Sequence, residues 1–194
     1  MHDTARLTGE AFFKVYGCTS GLIVDVGSMD VNGTLRPYAP AGMTYVGLDA
    51  EGGPGVDIVL EDPYKFPADD GWANLVVSTS CMEHSDYFWL TFAEMARILE
   101  PGGFVYISAP TGGVVHRHPV DCWRFYPDAG LALASWASRC GHPLTLVESF
   151  ILPPRADHWS DFVAVFEKFD GSSKGAFRCH RIVDLFPEAL YRRP

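Results

Sequence analysis

The sequence has no long apolar run and no excess of positive charge. Its 194 residues include 24 acidic and 15 basic side chains, which gives a formal net charge of −9. An acidic surface repels phosphate backbones, so we expect no nucleic acid as the main partner. No stretch reaches the roughly 20 apolar residues of a membrane span, so we expect no membrane partner. The first residues lack a signal-peptide pattern, and we therefore expect a cytoplasmic protein.

Cysteine pairs with metal-binding spacing are also missing. No two cysteines form a C-x-x-C motif, which argues against a zinc or iron–sulfur site and favours reduced thiols. The five cysteines are scattered along the chain: Cys18, Cys81, Cys122, Cys140 and Cys179.

Two phosphate-binding motifs are absent as well. The apolar run at 22–26 is followed by Gly27, but Met29 stands where a dinucleotide-binding G-x-G-x-x-G motif needs its second glycine. Asn32 stands at its last position, and the chain contains no G-x-x-x-x-G-K-[ST]. The turn therefore disfavours a nicotinamide oxidoreductase or a nucleoside triphosphatase, and a ligand without a pyrophosphate fits better.

Short apolar runs alternate with helical patterns and with segments rich in glycine and proline. This alternation predicts an α/β fold, a doubly wound Rossmann-like sheet that is mostly parallel with a late antiparallel strand. We expect a single domain with an N-terminal helix in 1–20, a core at 21–169 and a C-terminal extension at 170–194. Strands are predicted at 22–26, 43–48, 56–60, 75–78, 104–107, 144–149 and 162–166, and helices at 8–16, 88–99 and 129–140.

Acidic residues stand at the carboxyl ends of the first three predicted strands. Ligands of open parallel sheets bind outside the carboxyl ends of the strands, where Asp25, Asp49 and Asp62 are expected. Asp49 comes 22 residues after Gly27, and a carboxylate there can accept hydrogen bonds from two ribose hydroxyls. This indicates an adenosine-containing ligand; the alternative is a turn residue before Gly52.

These motifs together resemble the class I S-adenosylmethionine-dependent methyltransferase family, in its small-molecule subgroup. Asp25-Val26-Gly27 is similar to the family's first motif, and Glu83-His84 with the later L-x-P-G-G run at 99–103 is similar to a second. The resemblance covers about 20–110 and implies S-adenosyl-L-methionine as cofactor. The cofactor-binding residues that it implies are Asp25, Gly27, Ser28, Asp49, Ala50, Glu61, Asp62, Pro63 and Ser80.

The chain departs from the family pattern at three positions. Met29 and Val31 stand where the family usually has further glycines, and Asn74 stands where an acid is common. These departures keep a second hypothesis open, in which the same fold is a non-catalytic nucleoside- or partner-binding module.

The segment 116–127 concentrates histidine, arginine and aromatic side chains. It is similar to a "D-x-W-R-F-x-P" element of one methyltransferase subgroup. Histidine accepts a proton near neutral pH, and arginine binds a carboxylate with two hydrogen bonds. We predict catalytic roles for His118, His116 and Asp121, and substrate binding by His84, Arg124 and Trp123.

Each of these residues has a plainer interpretation. Trp123 fits packing that anchors the loop, and Arg124 fits a structural pair with Asp121 or Asp128. His116 and His118 form an H-x-H pair, but no third and fourth ligands stand out, so we expect no metal.

The resemblance implies methyl transfer to a small-molecule acceptor, and the histidine-rich segment favours an oxygen nucleophile. A sugar, a natural-product intermediate and a small acid all fit. A homodimer and the role of the basic C-terminal tail, 174–193, are left open.

Overall fold

The computed structural model describes residues 2–169 and 180–193. Its eight strands form one sheet in the order β3-β2-β1-β4-β5-β7-β6-β8. The helices are α1 (Asp3–Tyr16), α2 (Phe88–Ile98) and α3 (Asp128–Arg139). The strands are β1 (Gly21–Val26), β2 (Met43–Asp49), β3 (Ile58–Val59), β4 (Ala73–Thr79), β5 (Leu99–Pro110), β6 (Leu144–Leu152), β7 (Asp161–Lys168) and β8 (Leu190–Arg193).

The sheet confirms the predicted α/β Rossmann-like class. Strands β1 to β5 pair in parallel, and β7 is inserted antiparallel between β5 and β6. Strand β8 pairs antiparallel with β6 at the edge, so β7 and β8 both oppose the other six strands. The strand order reverses between β1 and β4, and this switch point is where open α/β sheets bind ligands.

Alternate residues of the strands build a core on each face of the sheet. On one face, Ile23 of β1 shares a cluster with Phe12 and Tyr16 of α1. On the other face, Val24 shares a cluster with Phe92 of α2. Successive side chains of a strand point to opposite faces, so a short apolar run such as 22–26 fills both cores.

The connections among the first four strands contain no α-helix. A single 3₁₀ turn, Arg36–Tyr38, lies between β1 and β2, and bends and turns join β2 to β3 and β3 to β4. Glycine and proline are frequent in these segments, and both disfavour helix interiors. This agrees with the predicted helices, none of which falls between the first and fourth strands.

Two predicted boundaries also differ. Helix α2 ends at Ile98, and β5 begins at once with Leu99, which pairs with Ala73 before the register shifts. Pro101, Gly102 and Gly103 therefore lie within the strand's span, while Lys168 donates to the carbonyls of Ala96 and Leu99 at the helix end. The third strand is shorter than predicted, Ile58–Val59 instead of 56–60.

The described part of the C-terminal extension is packed against the sheet. Ile182 and Val183 are buried on the α1 face, and the Arg192 guanidinium donates to main-chain carbonyls of 186–189. Residues 180–193 thus pack in part on the domain, while Arg192 and Arg193 stay exposed. Lys174 and Arg178 lie outside the described residues.

The expected free thiols can be checked at four positions. Cys18, Cys81, Cys122 and Cys140 are unpaired, and Cys179 lies outside the described residues. Over the described ranges, no helix combines the length and apolarity that a membrane crossing requires.

Glu148 of β6 joins three parts of the fold. Its buried carboxylate accepts hydrogen bonds from the Tyr16 hydroxyl at 2.5 Å and from the main-chain N–H groups of Ile182 and Val183 at 3.0 and 2.9 Å. Burial raises the pKa of Glu148, and these three donors oppose that effect.

We expect Glu148→Ala to lower the free energy of unfolding by about 3 kcal/mol, because two buried main-chain donors lose their acceptor. Chemical denaturation measures the change. Thr145→Ala, on the exposed side of the same strand, is the control and should change stability by less than about 0.5 kcal/mol. A loss below about 1 kcal/mol for Glu148→Ala would contradict this role.

Candidate functional site

The turn after β1 is fixed to the end of β2 by main-chain hydrogen bonds. The N–H groups of Gly27 and Ser28 donate to the carbonyl of Leu48 at 2.9 and 3.1 Å. This places the turn at 27–33 across the carboxyl ends of the two strands, at the switch point of the sheet.

Gly27 is required by geometry. Its φ is +79°, and a Cβ at this position would lie 2.4 Å from both Cβ and Sγ of Cys81, the residue two positions after β4. Any side chain here would displace the β4 end, so the turn approaches that strand end as only glycine permits.

Asp49 lies at the end of β2, half-buried beside the turn. Its carboxylate accepts from the N–H of Met29 at 2.9 Å and of Glu51 at 3.3 Å. A carboxylate accepts about four hydrogen bonds, so about two positions remain. Asp49 thus makes the main-chain hydrogen bonds expected of a turn residue, and its carboxylate can still accept hydrogen bonds from two hydroxyl groups. Ribose binding by Asp49 stays a prediction.

Asp25 is buried at the end of β1, with 4% of its surface exposed. Its Oδ2 accepts from the Tyr45 hydroxyl at 2.7 Å, whereas Oδ1 is buried and has no partner among the described residues. Burial raises the pKa of Asp25 to about 6, against the lowering effect of the Tyr45 hydrogen bond. A ligand with a donor or a positive charge would satisfy Oδ1.

Two serines add to this row of unsatisfied polar atoms. The Oγ atoms of Ser28 and Ser80 are buried without a hydrogen-bond partner in the described ranges. Ser80 follows β4 with a φ of +49°, a strained conformation that is frequent at functional sites. Buried polar atoms are nearly always paired in native proteins, with protein groups, ordered water or a ligand, so these unpaired atoms are candidate contacts for a bound polar ligand.

The remaining predicted cofactor residues lie on exposed segments after β2 and β3. Asp62 accepts a hydrogen bond from the N–H of Tyr64, and Leu60 donates to the main chain of Asp49. The structure therefore brings 61–63 beside Asp49 along the main chain. The residues of this exposed group are Ala50, Glu61, Asp62 and Pro63.

The segment 111–127 docks on the 3₁₀ turn Met82–His84 after β4. The N–H groups of Cys122 and Trp123 donate to the carbonyl of Glu83 at 2.8 and 3.2 Å. The Trp123 indole donates to the carbonyl of Ser85 and its ring packs against Phe88. These contacts agree with the interpretation that Trp123 packs to anchor the loop. Substrate binding by Trp123 stays a prediction.

Asp121 and Arg124 form a two-point ion pair that holds the same loop. The guanidinium donates to both carboxylate oxygens at 2.5 and 2.8 Å, and the N–H of His116 donates to Asp121 at 2.8 Å. Arg124 also donates to the carbonyl of Val114. The guanidinium holds the pKa of Asp121 far below its usual range. This geometry favours positioning roles for both residues; proton transfer by Asp121 and substrate binding by Arg124 stay predictions.

The loop brings three histidines together beside the β4 end. The ring centroids of His84 lie 4.9 Å from His116 and 5.9 Å from His118. Burial lowers the pKa values of His84 and His116, which favours neutral rings that accept a proton. His2 also belongs here, because it stacks on Trp159 at 4.6 Å and Trp159 contacts His116.

Glu83 lies beneath these histidines and is fully buried. Both of its carboxylate oxygens lack a hydrogen-bond partner among the described residues, and burial raises its pKa to about 8. The sequence marked Glu83 only as part of a motif and gave no chemical role to it or to His2. The position of Glu83 after the end of a predicted strand was the sequence feature that could have indicated a functional role. No sequence feature indicated one for His2.

An open cavity of about 550 Å³ lies between the start of α1 and the turn after β1. His2 and Arg6 line it on the α1 side, and Asp30 and Tyr38 line it on the other. His2 also contacts His116 through Trp159, but Asp25, Asp49 and His116 do not themselves line the cavity.

Residues 17–107 match the family described as "Methyltransferase domain". An "uncharacterized methyltransferase" of Mycobacterium ulcerans (strain Agy99) is 28% identical over 160 residues, which cover 73% of this chain and 60% of that protein. The chain thus spans about three fifths of the length of this curated relative.

Solved structures share the fold at low sequence identity. A Burkholderia thailandensis 1,6-didemethyltoxoflavin-N1-methyltransferase, solved with 1,6-didemethyltoxoflavin and S-adenosylhomocysteine, is 17% identical with a TM-score of 0.66, covering 87% of this chain and 80% of that one. The [4+2]-cyclase SpnF is 12% identical with a TM-score of 0.61, covering 85% of this chain and 81% of that one.

The buried carboxyl of Asp25 should make stability depend on pH. Its pKa is about 6 in the fold and 3.8 in the unfolded chain, so the folded state holds the extra proton between these values. Stability present below about pH 4 is therefore lost as the pH rises through 6, by about 3 kcal/mol in total.

Asp25→Asn removes this titration while it keeps the shape of the side chain. Its stability relative to the ligand-free wild type should rise by about 3 kcal/mol between pH 4 and 7 in urea unfolding. Tyr45→Phe, which removes the hydrogen bond that lowers this pKa, should enlarge the wild-type pH dependence. An Asp25→Asn difference that stays constant with pH would refute the assignment.

Proposed function

We propose that this chain, which carries a class I methyltransferase domain, transfers the methyl group of S-adenosyl-L-methionine to a small-molecule acceptor, at oxygen. The observation that carries the proposal is the row of unsatisfied polar atoms, from Asp25, Ser28 and Ser80, at the carboxyl ends of β1 and β4. The segment 17–107 that matches the methyltransferase-domain family contains these atoms and most of the parallel half of the sheet.

The residues at this edge fit the cofactor part by part. Asp49, with hydrogen-bonding capacity left on its carboxylate, would hold the ribose hydroxyls. Asp25 would accept from the amino group of the methionine portion, for which its Oδ1 lacks a partner. Gly27 lets the backbone approach closely, and 61–63 would contact the adenine. The bound cofactor supplies an activated methyl group, so the protein has mainly to align the acceptor.

Oxygen as the acceptor atom is supported by the histidines above the β4 end. His84 and His116 are kept neutral by burial, and His118 adjoins them. A neutral imidazole can take the proton of a hydroxyl group. We assign the base role to His118 of this group, with a sugar, a natural-product intermediate or a small acid as the acceptor.

A small molecule fits the site better than a macromolecule. The open cavity of about 550 Å³ beside the turn at 27–33, although lined by none of the proposed base residues, is in the size range of small-molecule pockets. The net charge of −9 disfavours nucleic acid. Free cysteines in the described ranges support a reducing compartment, and we place the protein in the cytoplasm.

The alternative is a non-catalytic nucleoside- or partner-binding module. It is favoured by Met29 and Val31, which still depart from the family's glycines. Asn74 no longer supports it, because its side chain is bound structurally, accepting from the N–H of Leu22 and donating to Glu100. Tight S-adenosylhomocysteine binding without methyl transfer to any compound of a broad acceptor panel would favour the module.

Calorimetry with S-adenosylhomocysteine tests the cofactor assignment. We expect binding by the wild type and a loss of about 2–3 kcal/mol for Asp49→Ala, because two ribose hydrogen bonds disappear. Glu51→Ala is the matched control, since its exposed side chain lies two residues away and should leave affinity unchanged. Absence of binding by folded wild type, or equal affinity of both variants, would refute the assignment.

A further inference from the structure

Glu83, His84 and His116 form a compact group whose ligating atoms all lie within 4.8 Å of one another. The Glu83 Oε1 atom is 3.6 Å from Nε2 of His84 and 4.0 Å from Nε2 of His116. In a tetrahedral zinc site with bonds of about 2.0–2.1 Å, neighbouring ligand atoms are about 3.3 Å apart. Both distances from Glu83 to a histidine are within 1 Å of this spacing, and the whole group must contract from a span of up to 4.8 Å to share one ion.

The hydrogen bonds of the two imidazole rings direct their free nitrogens to the same point. Nδ1 of His84 lies 2.6 Å from the carbonyl of Val120, and a carbonyl only accepts, so this nitrogen carries the proton. Nδ1 of His116 faces the carbonyl of Val114 at 3.4 Å and the Asp121 carboxylate at 3.5 Å. Both rings therefore present an unprotonated Nε2 toward Glu83, the arrangement that metal-ligating histidines adopt.

The Glu83 carboxylate gives independent support for a bound cation. It is 0% exposed, and neither of its oxygens has a hydrogen-bond partner in the part of the chain that the structure describes. Leaving a buried carboxyl unpaired is costly, and such groups in native proteins are paired or coordinate metals. Nε2 of His84 and Nε2 of His116 lie 3.6 and 4.0 Å from Oε1 of Glu83, beyond hydrogen-bond distance.

We propose that Glu83, His84 and His116 bind one divalent first-row transition-metal ion of the Zn²⁺ type. Two imidazoles and one carboxylate are a ligand set of catalytic zinc and of non-haem iron sites, which leave further positions open. The H-x-H pair at 116 and 118 offered no further ligands in the sequence, and we therefore expected no metal. The proposed site differs from that expectation because Glu83 and His84, which follow β4, supply two of its three ligands. The open positions would take water or an acceptor oxygen, a role that rests on the proposed function.

The Asp121–Arg124 ion pair serves the same arrangement. Asp121 accepts from the N–H of His116 and faces its ring, while Arg124 fixes the carboxylate with two hydrogen bonds. Asp121 is therefore a positioning residue for His116, in the manner of carboxylates that orient metal-bound histidines.

The test is titration of the metal-free full chain with Zn²⁺ by calorimetry, with Co²⁺ as a spectroscopic probe. We expect one ion per chain and the visible absorption of cobalt in a low-coordinate nitrogen and oxygen environment. Glu83→Gln and His116→Ala should each weaken Zn²⁺ binding at least tenfold. His142→Ala, which removes a histidine at the α3–β6 turn, should bind as the wild type does.

S-adenosylhomocysteine binding, measured on the same samples, reports folding and separates the two proposals. Retained nucleoside binding with weakened Zn²⁺ binding in Glu83→Gln supports the metal site. Zn²⁺ binding without nucleoside binding would leave the metal site standing and refute the cofactor assignment. A folded wild type that binds no stoichiometric Zn²⁺, or variants that bind it as tightly as His142→Ala, would overturn the metal proposal.

Discussion

Burial of carboxyl groups without partners is the constraint on which this site depends. Asp25 and Glu83 are both buried at the carboxyl edge of the sheet, each with at least one oxygen that no described residue satisfies. Burying such a group costs free energy. The fold tolerates the cost because two cores, one on each face of the sheet, fix the strand ends that carry these residues. Ligands that bring donors or positive charge would recover it.

The sheet was predictable from the sequence where apolar runs are short and end in glycine or acid. The strands β1, β2 and β4 lie within a few residues of their predicted positions because buried parallel strands need continuous apolar residues. β8 was missed, since Leu190–Arg193 carries exposed, mostly polar or charged side chains and pairs only through its backbone. The absence of helices between β1 and β4 was predictable as well, because glycine and proline are frequent there.

The site was predictable only in its local parts. Gly27 and Asp49 follow from strand ends and spacing, and the structure places them together as expected. The group of Glu83, His84 and His116 depends on docking of the 111–127 loop on the main chain of Glu83, a contact between distant segments that periodicity does not encode. Asn74, by contrast, departs from the family pattern for a structural reason. Its side-chain oxygen accepts a hydrogen bond from the N–H of Leu22 and so holds the start of β1.

The central claim is that the polar edge formed by the ends of β1, β2 and β4 is the binding site for S-adenosyl-L-methionine. A crystal structure with S-adenosylhomocysteine tests it most directly. The account predicts the nucleoside across the turn at 27–33, with its ribose hydroxyls on Asp49 and a ligand donor, directly or through one water, on Oδ1 of Asp25. A ligand bound elsewhere, with Oδ1 still unpaired, would contradict it.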